Sequence, residues 1–136
     1  MIKLLTLITL LLPTPGLSAE VGVMQGTHIG MKGLNDTHPY ISAEGDSLGA
    51  VWYLNSYNKG AVGIYKHFTG DNFKLLCGAT TGYKQTMSYN GKEYNLPKSA
   101  FITPGIMLMV IPSYRFDRYE ISLVGNSINF GINFSF

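Results

Sequence analysis

Ser127-Ile128-Asn129-Phe130-Gly131-Ile132-Asn133-Phe134-Ser135-Phe136 is the stretch on which the fold turns. Every even position holds Ile or Phe, and every odd position holds Ser, Asn or Gly. Successive side chains of a strand point to opposite faces, so these residues predict a strand with one wholly apolar face and one small, polar face. A wall with hydrocarbon outside and a crowded or wet interior needs such a strand, and an outer-membrane barrel is built of them. A soluble sandwich edge can alternate in the same way, but it rarely ends on a bare Phe.

The opposite end of the sequence agrees with export. Lys3 supplies a positive start, Leu4–Leu12 is largely apolar, and Pro13, Pro15 and Gly16 break the run before Leu17-Ser18-Ala19. This pattern predicts a signal peptide over 1–19 and a mature chain of 117 residues, 20–136, beginning at Glu20. The apolar run is too short to cross a bilayer as a helix, and no later stretch approaches about 18 uninterrupted apolar residues. An aromatic-terminated apolar strand resembles the last strand of bacterial outer-membrane proteins, whose terminal Phe is read by the assembly machinery. The expected location is the outer membrane.

One domain of that length is the whole allowance. Without Lys3, nine basic residues face eight acidic ones, so nothing in the charge calls for nucleic acid. Cys77 stands alone, which excludes a disulfide within the chain. The three histidines are scattered, and neither a metal site nor a cofactor is expected.

Turn residues punctuate the mature chain at short intervals, and the segments between them are rich in Val, Ile, Tyr, Phe and Thr. The predicted strands are 21–30, 38–44, 48–56, 61–68, 73–84, 101–114, 118–124 and 127–136. Eight strands of this length predict an all-β, eight-stranded antiparallel barrel of the outer-membrane type. With both ends periplasmic, turns after even strands are short, and the longest odd connection, Gln85–Ala100, is an outer loop. Leu48–Leu54 and Ile106–Ile111 are apolar on both faces, which predicts either a dry packed interior or a cavity that holds a hydrocarbon chain.

Parity puts His28, Asn55 and Ser56 at the outer rim. Acyl transfer needs a hydroxyl or activated water, a base to take its proton, and donors for the oxyanion. Ser56 with His28 supplies the first two, and the Asn55 amide can donate or orient. Asn-Ser before Asn58-Lys59-Gly60 is also ordinary turn chemistry. Asn35-Asp36 is a turn signal as well, although Asp36 beside His38 has the means to orient an imidazole. His67 falls near the periplasmic end, away from this group.

Several of these segments together resemble the PagP family, the outer-membrane lipid A palmitoyltransferases. The likeness runs from Leu48 to Phe136. That family carries an Asp-Ser step at the outer end of a strand similar to Ala50–Ser56, and here the step is Asn55-Ser56. Gly63-Ile64-Tyr65 resembles its Gly-Tyr strand, Leu75-Leu76-Cys77-Gly78-Ala79-Thr80-Thr81-Gly82 its Gly-rich strand, and Pro104–Pro112 its Pro-containing apolar strand. The catalytic His of the family lies in the first outer loop region, where His28 is the nearest match and His38 the second. The family's Asp and its amphipathic helix before the barrel have no counterpart. The Tyr-Asn-Ser step is also similar to one in short phage-encoded exported proteins.

The resemblance implies a monomeric acyltransferase that moves an acyl chain from phospholipid to lipid A. In it His28 would be the general base, Ser56 would position or activate, and Asn55 would assist. Lipid would have to enter sideways, and Pro39, Pro104 and Pro112, which cannot donate to a ladder, are candidate sites for an opening. The rival is a non-enzymatic barrel with a structural or surface-binding role, in which Tyr89, Lys92, Tyr94 and Lys98 meet a partner.

Overall fold

The computed structural model describes residues 18–30, 33–125 and 127–135. Its strands are β1 (Ser18–His28), β2 (Thr37–Glu44), β3 (Leu48–Leu54), β4 (Gly60–Thr69), β5 (Phe73–Thr80), β6 (Thr86–Tyr89), β7 (Lys92–Asn95), β8 (Phe101–Thr103), β9 (Ile106–Phe116), β10 (Tyr119–Val124) and β11 (Ser127–Ser135). Eight of them form a ring in the order β1-β2-β3-β4-β5-β9-β10-β11, every neighbour antiparallel. The ring closes where β1 pairs with β11, from Glu20↔Ser135 to His28↔Ser127. The protein is a closed eight-stranded antiparallel β-barrel. The predicted signal peptide lies outside the described residues except for Ser18 and Ala19, which open β1, and Phe136 lies outside them as well.

The alternation of the last strand sets its sides. Ile128, Phe130, Ile132 and Phe134 are 40–54% exposed on the outer surface, whereas Ser127, Asn129 and Asn133 are buried inside. Val21 and Val23, Val62 and Ile64, and Leu108 and Val110 extend the apolar surface around the barrel. Connections after β1, β3, β5 and β10 meet at one rim, the loop rim. Short turns after β2, β4 and β9 make the other, the turn rim, where Tyr114, Phe116, Tyr119 and Phe130 form a row of rings 5.6–6.3 Å apart.

Two predicted elements differ. The strand expected over 101–114 is broken by Thr103-Pro104-Gly105-Ile106, with Gly105 at φ 83°. Pro at the second position and a left-handed Gly at the third are the requirements of a type II turn, so β8 folds back on β9. Pro104 is thus a turn residue. Connection Gln85–Ala100 contains a hairpin, β6–β7, around Asn90 (φ 51°) and Gly91 (φ 73°). Positive φ at both positions is what a type I′ hairpin turn demands, and Asn-Gly is its preferred sequence.

The interior is divided. Near the turn rim it is charged, and its acids and bases are paired, although the buried Nδ1 of His67 has no partner among the described residues. Arg115 donates twice to Glu20, at 2.9 and 2.7 Å, and once to Glu120, at 2.6 Å. Lys74 bridges to Glu44, which also accepts from the Tyr65 hydroxyl at 2.7 Å. His67 turns inward and binds the Gly45 carbonyl at 3.0 Å. Gly22 and Gly49 leave room for the Tyr40 and Tyr65 rings, each of which lies within 2.6 Å of where a Cβ would stand. Toward the loop rim the inward side chains of several strands become apolar, Met24, Val51, Leu76, Met109 and Ile111, alongside the small polar Ser127 and Asn129 of β11. The expected two-sided apolar strands thus describe the upper half alone. A cavity of about 100 Å³ lies there, lined at one end by the charged cluster and at the other by His38, Asn55 and Ser56.

Candidate active site at the loop rim

His28 ends β1 on its inward face. In the β1–β2 register Gly26 stands opposite Asp36, and the Gly26 amide donates to the Asp36 carbonyl at 2.7 Å. Two residues further along the same face, the His28 side chain is the diagonal neighbour of Asp36, close enough for a long side chain to reach. His28 Nδ1 lies 2.7 Å from Asp36 Oδ1, and His28 Nε2 lies 2.8 Å from Ser56 Oγ. An ionised carboxylate accepts only, so Nδ1 carries the proton and donates to Asp36. Nε2 is then the lone-pair nitrogen, and the Ser56 hydroxyl donates to it. The His28 side chain is 4% exposed and that of Asp36 44%.

Ser56 reaches His28 because the first and third connections are sewn together. The Asn35 amide N–H donates to the Ser56 carbonyl at 2.8 Å, and Asn35 Nδ2 donates to the carbonyls of Thr37 (2.8 Å) and Asn55 (3.1 Å). Asn35 Oδ1 accepts from the Thr37 amide at 3.2 Å. One asparagine therefore fixes the backbone of Ser56 and the loop of Asp36 together.

Asn55 is wholly buried and serves the loop itself. Its Oδ1 accepts from the amides of Tyr57 and Lys59, both at 3.0 Å, and its Nδ2 donates to the Gly82 carbonyl at 3.0 Å. Both ends of the amide are committed to backbone, so Asn55 shapes the turn that presents Ser56 and does not face the reacting atoms. Of the three residues expected at the site, His28 and Ser56 come together, and Asn55 supports them from behind. Asp36 completes the group. Its carboxylate orients His28 rather than its near neighbour in sequence, His38. Only the strand register reveals that pairing, because sequence proximity favours the other histidine.

Beside the cavity, Tyr57, Tyr83 and Met87 form a buried cluster with the hairpin residue Tyr94 packed against it. Burial raises the phenol pKa of Tyr83 well above its ordinary value, with Tyr53 adding to the effect, and burial likewise raises that of Tyr57. Both stay neutral hydroxyls. Tyr53 donates to Tyr83 at 3.2 Å and lies 2.9 Å from Thr80.

Two seams of the barrel lose their ladder below this site. β9 and β10 pair only from Ser122↔Ser113 to Tyr119↔Phe116. Residue 115 uses its amide on the β5 side, toward Asn72, so even residues of β9 face β10. The next rung toward the loop rim would need the amide hydrogen of Pro112, which has none. Beyond it, Leu123 and Val124 pair with β11 alone. Met109 and Ile111 on one side of this seam and Val124 on the other line the cavity. At the second seam, β2–β3 pairing stops at Tyr40↔Tyr53, and Pro39 is the next residue.

The chain matches no family model, no curated protein and no solved structure. The site must be read from its own geometry. A hydroxyl on a histidine that is itself oriented by a carboxylate is the arrangement of a serine nucleophile.

Because the Asn55 amide faces a carbonyl, a carboxylate in its place would lose a donor and set oxygen against oxygen. Asn55→Asp should cost ~1–3 kcal/mol of stability and lower activity, read by urea titration and turnover in detergent micelles. A gain in both would mean that residue 55 faces the chemistry.

Proposed function

We propose that this protein is an outer-membrane acyltransferase in which Ser56 takes an acyl chain from a phospholipid and passes it to lipid A. The observation that carries the reading is His28, held between Asp36 at 2.7 Å and Ser56 at 2.8 Å, with Ser56 itself lining a largely apolar cavity. The likeness of Asn55-Ser56 and the strands around it to the PagP family supports the choice of donor and acceptor.

In the first half-reaction Ser56 Oγ attacks the ester carbonyl as its proton passes to His28 Nε2. Asp36 stabilises the imidazolium. The bond from the acyl carbon to the glycerol oxygen breaks, and His28 returns the proton to that oxygen. In the second half, His28 takes the proton of an acceptor hydroxyl, the acceptor oxygen attacks the acyl-serine, and Ser56 recovers its proton. The unzipped β9–β10 seam is the path by which a lipid chain would pass from the apolar surface into the cavity. The charged floor set by Arg115 and its two glutamates would stop the chain's methyl end.

Transfer of a labelled acyl chain from phospholipid to lipid A, in detergent, tests the reading. Ser56→Ala and His28→Ala should abolish turnover while the barrel stays folded, and Asp36→Asn should lower kcat by roughly 10³–10⁴-fold. Release of free fatty acid without acylated lipid A would make water the acceptor and the protein a lipase. Inactivity of the parent with every donor would favour the surface-binding role.

The membrane setting has its own test. Ile64 is 66% exposed at the middle of β4, and Ile132 pairs with Tyr119 beside a turn. On refolding into phospholipid vesicles, Ile64→Arg should cost ~2–4 kcal/mol and Ile132→Arg ~0–1. Equal tolerance at both positions would argue against a bilayer around this belt.

A further inference from the structure

His38 stands beside the site without belonging to the Ser56–His28–Asp36 relay. Its ring lies edge-on to His28, with centroids 6.4 Å apart, and it lines the cavity. Its Nδ1 lies 2.8 Å from the Leu54 carbonyl oxygen, so Nδ1 carries the hydrogen and donates. That carbonyl is two residues before Ser56.

The register explains why a side chain makes this bond. The Gly26 amide donates to the Asp36 carbonyl, so even residues of β2 turn their backbone groups toward β1. Odd residues of β2 therefore face β3. On the other side, the Asn55 amide donates to the Lys59 carbonyl, so odd residues of β3 face β4 and even ones face β2. Continuing the pairing past Tyr40↔Tyr53 sets Pro39 against Leu54, both with backbone groups aimed into the seam. In an unbroken ladder the residue-39 amide would donate to the Leu54 carbonyl. Proline has no hydrogen there. The bond that is missing from the backbone is made by the imidazole of the preceding residue.

We infer that His38 is a positioning residue: it supplies the hydrogen bond that Pro39 cannot give to Leu54, and so holds the start of the Asn55-Ser56 turn against β2. This inference rests on the serine reading of the site. Pro112 makes the equivalent break at the β9–β10 seam. The seam beside the nucleophile is latched. A carbonyl left without its donor at Leu54 would free the turn that sets the Ser56–His28 distance, and misplacement of reacting groups by about 1 Å can cost roughly 10²-fold in rate.

The latch can be moved from side chain to backbone. Pro39→Ala restores an amide hydrogen aimed at Leu54 and changes no rung to β1, since odd residues of β2 face away from it. His38→Asn keeps a donor where Nδ1 stands and removes the lone pair of Nε2. Two readouts are needed on the full-length barrel in detergent. One is amide hydrogen exchange at Tyr57 and Lys59, whose amides are held by Asn55 Oδ1. The other is the rate at which a fluorophosphonate modifies Ser56. His38→Ala should speed exchange at both amides and slow modification by about 10²-fold. His38→Asn and the double variant His38→Ala/Pro39→Ala should both return toward the parent. Failure of Pro39→Ala to rescue, or loss of modification in His38→Asn, would mean that His38 acts through Nε2 on the reactants and would overturn the latch. Unchanged exchange in His38→Ala would overturn it too. A parent that the fluorophosphonate does not modify, with exchange that still responds and recovers, would remove the serine reading and leave the latch standing.

Discussion

A backbone amide or carbonyl set against an apolar surface must find a partner, and in this chain the barrel's ladder supplies nearly all of them. Closing β1 on β11 removes the free edges that an open sheet of these strands would expose. The same demand makes two positions conspicuous. Pro39 and Pro112 each point a nitrogen without hydrogen into a seam, and each stands where pairing stops on the way to the loop rim. Each proline also pairs on its other side, with Val23 and with Leu75, in positions that need no amide there. The prolines therefore break one rung each without opening the second seam of their own strand. The cavity and the His28 group lie at the same end of the barrel as both breaks.

The two halves of the interior do different work. The paired charges around Arg115, Glu20 and Glu120 tie β1, β9 and β10 together near the turn rim. Well-connected ions of this kind specify an arrangement more than they stabilise it, because desolvation offsets much of their attraction. Above them the wall changes to Met24, Val51, Met109 and Ile111, which leave the cavity unfilled. An eight-stranded barrel is just wide enough for side chains to fill. The Met109 and Val51 side chains lie in the room that Gly63 leaves on the inner wall.

The sequence made the barrel legible because period-two alternation is a local signal. Ile128 to Phe134 needs no knowledge of the rest of the chain to be assigned a face. Short turn signals are equally local, and Asn90-Gly91, the turn of the β6–β7 hairpin, is one of them. What could not be read was register. His28 and Ser56 were placed at one rim by counting strands, but Asp36 joins His28 through a diagonal contact that exists only for one alignment of β1 with β2. Asn55 sits next to Ser56 and is the type of residue that stabilises an oxyanion, yet its amide is consumed by Tyr57, Lys59 and Gly82. The inward charges Glu20, Glu44, Lys74, Arg115 and Glu120 were missed for a related reason. Each is a single charge at a strand end, indistinguishable in sequence from a solvated turn residue until the parity of its strand is known.

The proposed function turns on a covalent step in which the Ser56 hydroxyl, relieved of its proton by His28, would carry the acyl chain. The most direct measurement is peptide mapping by mass spectrometry of the protein, acid-quenched while it turns over a phospholipid of defined acyl composition. The account predicts an adduct of that acyl mass on the peptide containing Ser56, absent from His28→Ala. Steady transfer of the acyl chain with Ser56 unmodified, or an adduct confined to another residue, would contradict it.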